Sequence, residues 1–124
     1  MKGSKGLGRA MLVLVMILFG LGFAAAPASA SSSKCTVKWP STSCKTGTMR
    51  SNGTYHRIFY NMCASYYHYT DWQVKDADNG VIVGQGRVAA GQCTVGYING
   101  LYGAYWGWVF NARDPALAYI ANDR

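Results

Sequence analysis

All four cysteines of this chain, Cys35, Cys44, Cys63 and Cys93, lie downstream of an apolar leader. Lys2, Lys5 and Arg9 form a basic opening, Ala10 to Phe23 is apolar, and Ala28-Ser29-Ala30 supplies the small-x-small pattern a signal peptidase needs. Residues 1–30 therefore read as a cleaved secretory signal peptide and 31–124 as a single mature domain. An even number of cysteines confined to a short exported segment predicts an oxidising compartment and a fold stapled by disulfides, because so small a core is marginal. Four cysteines allow three pairings. The sequential pairing, Cys35–Cys44 and Cys63–Cys93, suits a β-meander; on chain-entropy grounds it stabilises by roughly 2.7 and roughly 3.7 kcal/mol.

The rival reading of the leader is an uncleaved anchor. Its apolar run just reaches bilayer length, but Gly20, Gly22, Pro27 and Ser29 weaken the end. No second apolar stretch follows, so the mature chain is expected to be secreted and extracellular, without stable membrane insertion. The full chain carries a formal charge of +7, and loss of Lys2, Lys5 and Arg9 lowers it to +4. The remaining cations are scattered rather than clustered, which argues against a nucleic-acid partner and fits a solvated surface.

Beyond Gly53 the pattern is β-like, with no amphipathic helical period. Ser31–Ser33 is a polar lead-in expected to fray, and Thr36–Trp39 a short strand ahead of an irregular loop. Tyr55–Cys63, Ser65–Asp76, Val81–Val88, Cys93–Ile98 and Tyr102–Phe110 are further strands, and Ala116–Ala121 is an edge strand or one helical turn. In Ser65–Asp76 the Trp72/Val74 face should point inward, because the opposite face turns polar. Asn79-Gly80 predicts a type I′ hairpin, and Asn99-Gly100 marks another hairpin. The expected fold is all-β: a small antiparallel β-sandwich or barrel of about six strands with two disulfides.

Catalytic chemistry finds little to stand on. The mature segment has no glutamate; Asp76, Asp78 and Asp114 sit in turns, where aspartate serves backbone hydrogen bonding. No G-x-S-x-G motif is present, and no cofactor is called for. His56 and His68 form the one alternative, an acid/base pair for a small hydrolase, though nothing in their spacing requires them to meet. Two histidines in separate strands are too few for a metal site. Asn52-Gly53-Thr54 matches a glycosylation sequon, of a kind that arises often by chance.

Nine tyrosines and four tryptophans exceed what a small core needs. Aromatic rings on a surface stack on sugars or anchor a protein partner. The Tyr102, Ala104, Trp106, Trp108 and Phe110 face reads as core. Tyr67, Tyr69 and Tyr105 are the surface candidates for ligand binding, since they lie on the less apolar faces of their strands and Gly103 and Gly107 leave room beside Tyr105.

The four-cysteine layout behind a signal peptide, with Val88-Ala89-Ala90-Gly91-Gln92 leading to Thr94-Val95-Gly96, resembles the small secreted α-amylase inhibitors of actinobacteria, the tendamistat type. The resemblance covers about residues 60–112 and implies a six-stranded sandwich with two sequential disulfides. The Trp-Arg-Tyr triplet with which that family inhibits is absent, since no tryptophan here is followed by arginine. Architecture is implied and amylase inhibition is not. The leading expectation is a secreted, non-enzymatic binding module for an extracellular protein or glycan, an inhibitor being one form of it. A secreted antimicrobial acting on cell envelopes is the alternative.

Overall fold

Alternating burial along its strands divides this chain into two antiparallel sheets packed face to face. A computed structural model describes residues 31–124; the leader and the cleavage expected after Ala30 lie outside the described residues. The strands are β1 (Ser32–Thr36), β2 (Cys44–Lys45), β3 (Met49–Arg50), β4 (Arg57–Cys63), β5 (Thr70–Asp76), β6 (Ile82–Val88), β7 (Cys93–Asn99), β8 (Ala104–Phe110) and β9 (Leu117–Ala121). Sheet I runs β1-β9-β4-β7 and sheet II runs β2-β8-β5-β6, with β3 also paired to β8. The all-β sandwich with two disulfides is as expected, built from nine strands among the described residues.

Several local expectations are corrected. Ser32 and Ser33 do not fray; they begin β1, which pairs with β9 from Ser32↔Ala121 to Thr36↔Leu117 and ends before the expected Thr36–Trp39 strand has run. β5 starts only at Thr70, because Ser65 bridges to His68 and closes a tight turn ahead of it. Leu117–Ala121 is a strand, and not an edge: it lies between β1 and β4, where fully buried Ala118, Ile120 and Ala121 suit a position covered by the opposite sheet. The hairpin after β5 exists, but only Gly80 has positive φ (75°), so the turn is not type I′. Asp76 Oδ1 instead accepts the Asp78 and Asn79 backbone N–H groups, closing a longer loop. Asn99-Gly100 forms no hairpin; it carries the chain from β7 in sheet I to β8 in sheet II.

The core lies between the inward faces. Ile58 and Met62 of β4 and Ile120 of β9 meet Val74 of β5 and Val109 of β8, all fully buried. Each such side chain contributes about 1.5–3 kcal/mol of transfer free energy. Trp72 points inward, as the alternation predicts, and stacks on Tyr60 with ring centroids 4.6 Å apart. Its indole lies against β6 at Gly86, where an added Cβ would approach Nε1 to 3.0 Å. Gly107 of β8 faces the other sheet so closely that a Cβ there would sit 3.1 Å from Ile120 and 3.3 Å from Met62.

The favoured cysteine pairing is the one found, and its two bonds do different jobs. Cys35–Cys44 joins β1 to β2 and so clamps one sheet to the other at an edge. Cys63–Cys93 joins directly opposed residues of neighbouring β4 and β7 within sheet I. A polar tie completes the frame. Asn122, 5% exposed, accepts the Ser31 N–H at Oδ1 (2.6 Å), donates from Nδ2 to the Arg50 carbonyl, and offers its own carbonyl to Asn52 Nδ2. Asn52, the sequon residue, is thereby used structurally at both ends of its amide, for its Oδ1 caps the N–H groups of Thr54 and Tyr55.

Candidate functional site

β8 decides which aromatic residues are available. Its pairing with β5 sets Phe110 beside Asp71, Trp108 beside Gln73 and Trp106 beside Lys75, all on the outer face of sheet II. Tyr105, Gly107 and Val109 point inward, and Tyr105 is only 4% exposed. This reverses the expected polarity of the strand: the proposed ligand residue Tyr105 is core, and the tryptophans expected in the core face out. The reason is space. At Gly107 the other sheet already stands 3.1 Å from where a Cβ would sit, leaving no room for an indole, while the Tyr105 hydroxyl accepts the backbone N–H groups of Tyr102 and Gly103 at 3.2 and 3.1 Å.

Outside, the rings form a continuous strip. Trp106 and Trp108 are 6.4 Å apart and tilted, and Trp108 stacks on Phe110 at 4.3 Å. Residues two apart on a strand share a face about 7 Å from one another, so the strip follows from the spacing once the strand's polarity is fixed. Lys45 of β2 reaches over Trp106 from one side, with its Nζ 4.6 Å from the ring centroid. Lys75 of β5 reaches in from the other, 5.6 Å from Trp106 and 5.2 Å from Trp108. Together with Ser43 these four residues line a shallow groove of about 460 Å³. The sequence singles out neither Lys45 nor Ser43 as a binding residue; Ser43 reads there only as a loop serine with no base beside it. The available signal was the Trp-x-Trp-x-Phe run, which reads equally well as core or as surface.

One end of the same face is locked. Arg87 of β6 makes a two-point ion pair with Asp71 (2.7 and 3.1 Å), Asn111 Nδ2 donates to the second carboxylate oxygen, and the guanidinium covers the Tyr69 ring at 3.9 Å. The hydrogen bond from Arg87, joined by that from Asn111, holds the Asp71 carboxyl below its ordinary pKa against the opposing effect of desolvation. Of the sequence candidates, Tyr69 thus belongs to this face but lies under Arg87 and beside His68, stacked at 4.4 Å. Tyr67 is 57% exposed and sits in the preceding turn, edge-on to Tyr66.

The two histidines do not meet. His56 precedes β4 and stacks on Tyr102 at 4.3 Å, whereas His68 follows the far end of β4. The strand between them spans about 20 Å. Among the described residues no three His, Cys, Asp or Glu side chains gather into a metal-binding group. Comparison with family models, curated proteins and solved structures returned no match.

Proposed function

We propose that the mature domain is a secreted, non-enzymatic binding module that holds an extracellular ligand in the Trp106/Trp108 groove. The observation that supports this is the placement of two tryptophans outside a core already filled by Tyr105, Val109 and Trp72. Both rings are half-buried beside the lysines yet lie outside the core, and a row of rings flanked by polar side chains is how proteins stack against sugars and anchor partners. A glycan suits the groove better than a protein does, because the groove is shallow and runs along one strand rather than forming a deep pocket.

Secretion agrees with the two disulfides, which persist in oxidising surroundings. The test is affinity electrophoresis of the mature domain through a panel of extracellular polysaccharides, alongside capture from culture supernatant. Trp108→Ala should weaken capture about tenfold or more, the loss typical of an aromatic anchor. Retention of every ligand by Trp106→Ala and Trp108→Ala variants would move the site elsewhere. The antimicrobial reading rests on cations beside aromatics on both outer faces. Dye release from anionic vesicles at micromolar protein would favour it over the groove.

A further inference from the structure

The groove's walls differ from its floor in a way that narrows the ligand. Lys45 and Lys75 rise from β2 and β5, the neighbours of β8 on either side, so an ammonium group leans over the tryptophans from each flank. Neither ammonium has a carboxylate partner; the ion pairs among the described residues are Arg87–Asp71 and Arg124–Asp123. The indole faces are serving as substitute counter-ions, an attraction that is weak at an exposed site. A neutral ring stacking on Trp106 and Trp108 would have to displace both cations and leave them no better satisfied. A ring carrying its own anionic group lets the apolar face settle on indole while each lysine turns to a charge-assisted hydrogen bond.

Resting on the groove reading above, we infer that the ligand is an acidic polysaccharide whose sugar rings carry carboxylates, with Trp106 and Trp108 stacking the rings and Lys45 and Lys75 binding the acid groups. Lysine suits this task, being a compact charge on a flexible stem that can follow a polymer's variable acid positions. A single ligand sugar touching both lysines is not required. The strand spacing lets adjacent sugars use one flank each.

The test titrates the mature domain with polygalacturonate, with a neutral cello-oligosaccharide and with dextran sulfate, at about 0.05 M and about 0.5 M salt. Polygalacturonate should bind about tenfold more tightly than the neutral oligomer. That preference should vanish in Lys45→Gln/Lys75→Gln, while Trp108→Ala should weaken both sugars. Near-UV circular dichroism of each variant confirms the fold. Equal binding of neutral and acidic oligomers, unmoved by the lysine exchange, would overturn the acidic ligand and leave the groove standing. Dextran sulfate binding that survives Trp106→Ala/Trp108→Ala would reduce the effect to charge alone and overturn it too. Failure of all three probes to bind would overturn the acidic ligand, and the groove reading would fall with it only if the supernatant capture also came back empty.

Discussion

The two outer faces of the sandwich use the same ingredients to opposite ends. On sheet I, Phe59, Tyr97 and Tyr119 meet edge to face at 5.5 and 6.2 Å. Arg57 lies between Tyr55 and Tyr97, 4.5 and 3.9 Å from their centroids, and Arg124 covers Phe59 while pairing with Asp123. Arg57 also donates from Nε to the Arg124 carbonyl, so each guanidinium is held by rings and by hydrogen bonds. That face caps itself. On sheet II, beyond the end that Arg87 locks, the rings lie in a row, the cations over Trp106 and Trp108 are lysines that pair with no acid among the described residues, and a groove stays open between them. Planar arginine seals an aromatic surface, whereas lysine covers one and can leave it.

The largest test of this contrast uses the disulfides. Replacing Cys63 and Cys93 by alanine opens a connection between residues 30 apart and should cost about 3.7 kcal/mol in urea unfolding, yet spare groove binding at temperatures where the domain stays folded. Replacing Cys35 and Cys44 should cost less, about 2.7 kcal/mol for a separation of 9, but weaken binding more. β2, which carries Lys45, is only two residues long and depends on that clamp. The reverse ranking for binding would show that the groove does not rely on its edge strand.

A smaller effect separates capping from recruitment. Phe59→Ala should lower stability by about 1–2 kcal/mol, since its ring supports two neighbours and Arg124, and should leave ligand affinity unchanged. Trp108→Ala should do the opposite in the same paired measurement of unfolding and affinity. If both variants lost stability equally, the two faces would be the same kind of surface.

The smallest effect concerns Asp71. Its folded pKa lies below the unfolded value near 3.8, so its ion pair stabilises fully above that pH and the contribution fades as pH falls through the lowered value. Asp71→Asn should therefore cost less than about 1 kcal/mol at neutral pH, with the gap to the parent protein closing in acid. Urea midpoints from pH 7 down to about pH 2 measure this. A constant gap would place the effect in packing rather than charge.

What could be read from sequence was whatever one strand decides for itself. The alternation around Trp72 and Val74 gave the inward face correctly, because the opposite residues, Asp71, Gln73 and Lys75, are polar. Tyr102–Phe110 offered no such contrast: both of its faces are apolar, and summed hydrophobicity favours burying the indoles. The outcome depended on how near Met62 and Ile120 of the other sheet come to Gly107, a distance no single strand records. The Asn-Gly turns illustrate the same limit. Gly80 and Gly100 both adopt positive φ as their residue type suggests, but whether each turn joins partners or crosses between sheets is fixed by the whole topology. Lys45 was invisible for a related reason, since only pairing with Trp108 brings a loop lysine to the strip.

The Asn122 tie has an engineering consequence. Because Asn122 grips Ser31 through both side chain and backbone, the polypeptide enters and leaves the sandwich at one point on its surface. A domain with adjoining entry and exit can be spliced into a loop of a host protein, or doubled in tandem, without stretching either connection. Copies strung together in this way would each display the groove, and a ligand that fits the groove would be held with an avidity set by the linker.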